Sequence, residues 1–285
     1  MQLKESLASG IASLTTRNVP SPRLNAEMLL MFTLNCDRAY LFAHPERELT
    51  LDEQARYESA LSERMRGVPA QYITGHQEFW GMDLIVTPAV LIPRPETEHL
   101  IEAVIEAVRG GGQESPPHTN RMRMVDAGTG SGCIALALAK EFADAEIHAT
   151  DISSAALEVA RANSARHQLE QRIHFHQTDL LAGLKAPFDF VVSNPPYVGE
   201  SEEDQVQLEV RKFEPRNAVF AGATGLEVIE RLIPQAHAAL RPGGWLMMEI
   251  SGTIASRVQQ LLTSWNDVRL IPDLQSIPRI VRARR

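Results

Sequence analysis

Two stretches of the chain combine residue types and spacings that can do chemistry. The first is "VVSNPPYVGE" at 191–200, where Asn194 precedes Pro195, Pro196 and Tyr197. Two adjacent prolines neither continue a helix nor pair in the middle of a sheet, so a strand that ends here passes into a rigid turn. An amide beside such a turn suits methyl transfer to a planar nitrogen, either a carboxamide or an exocyclic amino group. The lone pair of that nitrogen is delocalised, which makes it a poor nucleophile. Two acceptors aimed at its N–H bonds, the Asn194 side-chain oxygen and the Pro195 carbonyl, pull it towards tetrahedral geometry. The prolines keep these acceptors preorganised, and Tyr197 offers a flat face for packing. No general base is required at the start, because the proton becomes acidic only after the methyl arrives.

The second stretch is "MVDAGTGSGCIALALA" at 124–139, a strand ending at Asp126, then Gly128, Gly130 and Gly132, then a helix. Glycines at a strand-to-helix turn let a ligand approach the backbone near the helix N-terminus. The spacing is GxGxG and not the dinucleotide GxGxxG. Asp151 follows in "HATDIS", 25 residues after Asp126 and at the end of the next expected strand. A carboxylate there accepts both hydroxyls of a ribose, which implies a nucleoside cofactor without telling NAD from S-adenosylmethionine. In "QTDLL", Asp179 and Leu180 are placed to border an adenine ring by polar contact and packing.

These residues need a scaffold that brings strand ends together. From 121 onward short apolar runs, "MRMVDA", "AEIHAT", "RIHFHQ" and "FDFVVS", alternate with helical stretches such as "SAALEVARANSARHQ", and "GGWLMMEIS", "DVRLIP" and "RIVRAR" follow. Strands alternating with helices predict a parallel α/β sheet. Upstream, "SPRLNAEMLLMFTL" predicts a helix with Ser21 as N-cap, Pro22 at its first position, and Leu24, Met28, Leu29, Met31 and Phe32 near one face. "TLDEQARYESALSERMRG" predicts another, with a Thr50–Glu53 capping box and a stop at Gly67. Residues 71–93 read as a hairpin punctuated by Gly75 and Gly81, and a helix starts after Pro95. The expected organisation is a helical N-terminal domain at 1–72, a β-hairpin linker at 73–95 and a catalytic α/β domain at 96–285.

Composition narrows the classes. The 285 residues carry a formal net charge of -8, and residues 1–75 hold eight Lys and Arg against nine Asp and Glu. Neither fits a protein that grips nucleic acid through its phosphates. Cys36 and Cys133 show no metal-ligand spacing and read as two buried thiols in a reducing cytosol. His174 and His176 share one face of a strand, read as exposed rather than metal-binding. No apolar run is long enough to span a bilayer, and "MQLKESLASG" lacks the apolar core of a signal peptide. The expectation is a cytoplasmic monomer that holds no metal.

With these motifs in hand, the sequence resembles the release-factor glutamine methyltransferases of the HemK/PrmC type over nearly its whole length. "EFWGMDLIVTPAVLIPRPETE" (78–98) resembles the family's hairpin and linker, "DAGTGSGCIALALA" and "SNPPY" its cofactor and catalytic motifs, and "EVRKFEP" (209–215) the segment that follows. The resemblance implies a seven-stranded, Rossmann-like class I methyltransferase domain behind a helical domain that contacts the release factor. It implies S-adenosylmethionine as methyl donor, S-adenosylhomocysteine as product, and the side-chain N5 of the glutamine in the Gly-Gly-Gln motif of class 1 peptide chain release factors as acceptor. Carried over by position, Asp126, Gly128, Thr129, Gly130, Ser131, Gly132, Asp151, Asp179, Leu180 and Asn194 would hold the cofactor. Asn194, Pro195, Pro196 and Tyr197 would hold the glutamine, with Asn194, Pro195 and Tyr197 as the catalytic group. The family often has an aromatic residue where Leu180 stands, and "QSIPRIVRARR" lacks the Gly-x-Asp that commonly precedes the last Arg.

The nearest rival is an N6-adenine methyltransferase on DNA or RNA, because the same acceptor geometry suits adenine N6. A binding protein on an inactive methyltransferase fold and a nicotinamide oxidoreductase fit less well, given the intact loop, Asp151 and Asn194. Residues 111–113 read Gly-Gly-Gln, the tripeptide the family modifies, within a glycine-rich stretch where chance accounts for it.

Overall fold

The computed structural model describes residues 1–110, 121–273 and 275–285, so Gly111-Gly112-Gln113 lies outside the described residues. The chain divides into two compact units, one of residues 1–76 with 207–213, the other of residues 77–206 with 214–285.

The first unit is helical: α1 (Leu3–Thr16), α2 (Pro22–Leu34), α3 (Arg38–Ala43), α4 (Leu51–Met65) and α5 (Ala70–Thr74). Leu3, Leu14, Leu29, Leu30, Tyr57 and Leu61 form its core. The Thr50–Glu53 capping box is present, and Gly67 (φ +94°) follows α4. Ser21 precedes α2 as expected but lies in the left-handed region and makes no side-chain cap. The buried face of α2 carries Ala26, Glu27, Leu29, Leu30 and Thr33, while Leu24 and Phe32 are exposed. The expected stripe is therefore rotated. The fully buried Glu27 carboxylate shares that face, held by Arg23 at 2.8 Å and Arg38 at 2.7 Å, as a buried charge needs partners.

The second unit begins with a hairpin narrower than the expected 71–93. Residues 70–74 form α5, stopped by left-handed Gly75, and only β1 (His76–Phe79) and β2 (Met82–Ile85) pair. Trp80 and Gly81 both have positive φ, the geometry of a tight two-residue turn. Phe79 is buried in the core, and the Trp80 indole N–H donates to Glu141 at 2.8 Å. Both residues pack and neither lines the cleft described below.

The sheet has the order β10-β11-β9-β6-β3-β4-β5. Its strands are β3 (Arg123–Ala127), β4 (Glu146–Asp151), β5 (Ile173–Gln177), β6 (Phe188–Ser193), β9 (Leu240–Glu249), β10 (Asn266–Pro272) and β11 (Pro278–Arg284). The first five in this list are mutually parallel, and at one edge β11 runs antiparallel to both β9 and β10. The expected α/β sheet is thus mixed at that edge. Helices α6 (Glu98–Gly110), α7 (Cys133–Glu141) and α8 (Ser154–Arg166) lie before and between the early strands. After β6 come β7 (Val198–Gly199), α9 (Leu208–Phe213), α10 (Arg216–Val219), β8 (Phe220–Gly222), α11 (Glu227–Ala239) and α12 (Ala255–Leu261).

Both faces of the sheet are covered, so the strands read as continuous apolar runs. Neighbouring residues feed opposite cores: Met124, Val192 and Met247 go with α6 and α7, and Val125, Val191 and Met248 go with α11 and α12. The chain runs β3, β4, β5 to one side and then returns to place β6 on the other side of β3. That reversal opens a crevice at the carboxyl ends of β3, β4 and β6, where ligands sit in such folds.

Candidate active site

The crevice is a cleft of about 300 Å³. Its floor is the turn after β3. The Gly128 and Thr129 N–H groups both donate to the Thr150 carbonyl, at 2.9 and 2.8 Å, which ties the turn to β4. Gly128 and Gly130 have φ of +76° and +54°, and a Cβ on either would project into open space. Gly132 (φ +85°) differs, because a Cβ there would lie 2.7 Å from Leu136. The first two glycines keep room for a ligand and the third lets α7 pack.

Asp151, at the end of β4, is fixed by two N–H donors. One oxygen accepts from Gly130 and the other from Ser153, each at 2.9 Å. Each oxygen retains a lone pair for a further donor. Asp126 lies fully buried beneath the loop, one oxygen accepting from the Thr129 hydroxyl at 2.6 Å and the Ala135 N–H at 3.2 Å. Its other oxygen has no partner. Burial pushes this carboxyl up to about 7, against the pull of the Thr129 hydrogen bond. Cys133, buried at the start of α7, is pushed up to about 12, chiefly by burial, whereas Cys36 is only half-buried.

The far wall holds Leu180, apolar and nearly buried, with φ +54°. Beside it Asp179 forms a bidentate pair with Arg231, at 2.8 and 3.1 Å. Ile152, a largely exposed apolar side chain next to Asp151, also lines the cleft.

The last wall comes from β6. Ser193 donates to the Ala127 carbonyl at 2.6 Å, which clamps the ends of β6 and β3 together. Asn194 and Pro196 line the cleft. The Asn194 Nδ2 donates to Thr97 Oγ1 at 3.1 Å, and Thr97 donates to Glu249 at 2.6 Å. Tyr197 turns away from the cleft and donates its hydroxyl to the same carboxylate at 3.3 Å. Burial pushes Glu249 above the ordinary glutamate range, while its bonds to Thr97 and Tyr197 pull the other way. Gly225 passes so close to the Tyr197 carbonyl that a Cβ would sit 2.6 Å from it. Beyond this loop Arg94 pairs with the buried Glu214, which also accepts the Ile92 N–H at 3.1 Å. This joins the "IPRPETE" segment to Glu214, next to Pro215 on the cleft rim.

Sequence comparison places this arrangement. Residues 5–75 match the PrmC N-terminal domain, and residues 114–212 match the methyltransferase small domain. The chain is 54% identical over 287 residues to a release factor glutamine methyltransferase from Koribacter versatilis, covering 100% of this chain and 99% of that one. The chain belongs to the release factor glutamine methyltransferase family. A second family member, from Chlorobaculum tepidum, is 40% identical, with 96% and 94% of the two chains covered. Membership makes the chain a methyltransferase. The hMettl16 catalytic domain, solved with MAT2A 3′UTR hairpin 6, shares the fold at a TM-score of 0.58 and 18% identity, over 87% of this chain and 92% of that one. So does the Thermus thermophilus 16S rRNA N2 G1207 methyltransferase in complex with AdoMet and guanosine, at a TM-score of 0.53 and 19% identity, over 74% and 49%.

The cleft brings together Gly128, Thr129, Gly130, Ser131, Asp151, Asp179, Leu180, Asn194 and Pro196. Asp126, Gly132, Pro195 and Tyr197 are not among the lining residues. Sequence reasoning missed Thr97, Glu249, Arg94, Glu214, Arg231 and Ile152. Arg94 and Thr97 stand inside the quoted "IPRPETE", whereas nothing local marks Glu249. On the strand face of His174 and His176, His174 is exposed as expected and His176 is half-buried, where the buried His148 bonds it at 2.9 Å and Glu146 at 2.7 Å. Among the described residues no group of His, Cys, Asp and Glu is arranged to hold a metal ion. No helix among the described residues is long and apolar enough to cross a membrane.

Proposed function

We propose that this enzyme methylates the side-chain N5 of the glutamine in the Gly-Gly-Gln motif of class 1 peptide chain release factors. In this reading S-adenosylmethionine is the donor, acting as a monomer's cofactor in the cytoplasm. Residues 1–72 serve as the release-factor-recognition domain, 73–95 as linker and 96–285 as catalytic domain. The open space over Gly128 and Gly130 and the anchored Asp151 carboxylate fit the cofactor. The glycine loop cradles its amino-acid part, Asp151 takes the ribose hydroxyls, and Asp179, Leu180 and Ile152 border the base. Bound there, the cofactor supplies a methyl group on a sulfonium.

The chain's own work is positioning. Asn194 Oδ1 and the Pro195 carbonyl accept the two N–H bonds of the substrate amide and expose the nitrogen lone pair. The prolines hold both acceptors still. The proton leaves to water after transfer. The observation that carries this reading is Asn194 on the same cleft as the glycine loop and Asp151, with its amide nitrogen already bound to Thr97.

Labelled methyl transfer tests it, with release factor, plasmid DNA and RNA as parallel acceptors. Label is expected on the Gly-Gly-Gln glutamine, with Asn194→Ala lowering kcat/KM by about 10²–10³-fold. Label on nucleic acid alone would replace the substrate with adenine N6. No label on any acceptor would end the assignment.

A further inference from the structure

Asn194 carries a problem that packing does not solve. A side-chain amide has nearly the same shape in its two flipped orientations, yet one presents an oxygen to the cleft and the other an N–H₂ group. A substrate nitrogen that brings two N–H bonds needs acceptors. In the flipped state donor would face donor, and the site would be inactive. Something must hold the amide one way round.

We propose that Thr97 and Glu249 are positioning residues that fix the direction of the Asn194 amide, so that its oxygen faces the substrate. This deepens the glutamine-methylation reading and rests on it for its kinetic consequence. The argument follows hydrogens along a chain of bonds. Both Glu249 oxygens act as acceptors in the observed bonds, from Thr97 and Tyr197, and the residue lies 3% exposed in the core. Tyr197 donates to Oε1 at 3.3 Å, which leaves Oε2 for Thr97 at 2.6 Å. Thr97 is 1% exposed and its hydroxyl has a single hydrogen, which Glu249 takes. The side of Thr97 Oγ1 that faces Asn194 is therefore a lone pair. Only the Nδ2 of Asn194 can complete that contact, at 3.1 Å, and this sends Oδ1 the other way, into the cleft. The direction is set by polarity handed on from the buried Glu249 acceptor pair. It also gives Tyr197 work, although Tyr197 does not line the cleft: its hydroxyl occupies the oxygen that Thr97 does not use.

Thr97→Val keeps the shape and removes the lone pair, and Thr97→Ser restores it. In asparagine-labelled protein, wild type is expected to show Asn194 Nδ2 hydrogens that are shifted and slow to exchange. Thr97→Val should lose this signature and Thr97→Ser should regain it. In methyl transfer to release factor, Thr97→Val should lower kcat about tenfold, the scale of one hydrogen bond. The KM for S-adenosylmethionine should change little, the melting temperature should fall because a buried Glu249 oxygen loses its donor, and Thr97→Ser should recover most of both the rate and the stability. An Asn194 signal that is the same in wild type and Thr97→Val would overturn the proposal, as would a Thr97→Val enzyme with wild-type kcat. The spectroscopic signature does not depend on the acceptor, so an enzyme that methylates nothing would sink the assigned reaction and leave this orientation to be judged by the signal alone.

Discussion

Asp126 sits under the glycine loop with no solvent exposure, one oxygen bonded twice and the other without a partner. Its carboxyl titrates near 7 in the fold, against 3.8 for an ordinary aspartate. Between those two values the folded chain keeps a proton that the unfolded chain has released. The raised value therefore stabilises the fold fully below pH 3.8, and that stabilisation is lost as pH rises through about 7. Thermal melts of the cofactor-free protein should show a decline from pH 5 to pH 8 that is shallower in Asp126→Asn. Equal slopes in the two proteins would place the titration elsewhere. At this same scale, Asp151 and Asn194 were legible in the sequence because each stands at the end of a strand, inside a motif written in neighbouring residues. Thr97 and Glu249 were not, because their roles exist only once residues 152 apart are brought to 2.6 Å.

Among the elements, α8 does more than connect strands. Asn163, fully buried on this helix, accepts from the Ile85 N–H at 2.6 Å and donates to the Ile85 and Ser131 carbonyls, each at 2.9 Å. One side chain thus holds the end of the hairpin and the glycine loop together. Asn163→Ala would leave three backbone groups without partners in the interior. It is expected to cost about 3 kcal/mol of stability, readable by denaturant titration, and to weaken cofactor binding through Ser131. Loss of stability with cofactor affinity intact would show that the glycine loop is held by other bonds. Periodicity and turn signals found the strands and the glycine turn because these are written in neighbouring residues. The hairpin came out narrower than expected because α5 ends on left-handed Gly75, and a helical turn of five residues leaves too short a periodicity to read. Nor did "SAALEVARANSARHQ" disclose what Asn163 joins, since its partner Ile85 lies 78 residues away.

For the molecule as a whole, the division into two units does not follow the order of the chain. The polypeptide leaves the second unit after Val206, contributes 207–213 to the first, and returns at Glu214. Within the first unit Glu209 pairs at 2.7 Å with Arg64, which is nearly buried, and Phe213 lies beside Gly67. The alternation of strands and helices announced an α/β domain, but it gave no hint that "EVRKF" belongs with helices more than a hundred residues upstream. Deleting 1–76 alone would strand the apolar and charged groups of 207–213. Replacing 207–213 with a short Gly-Ser linker in the same deletion should raise solubility and melting temperature. If both truncations behave alike, the returning segment contributes nothing to its unit.

The same threading bears on how such a protein can be inherited. Three covalent crossings join the units where a simple tandem arrangement would have one. An exchange of genetic material at a single point would deliver a first unit without its 207–213 segment, or a second unit carrying a foreign one. The two halves are therefore bound to descend together, and a change in the packing of the helical unit must be matched by a change just downstream of the loop that carries Asn194.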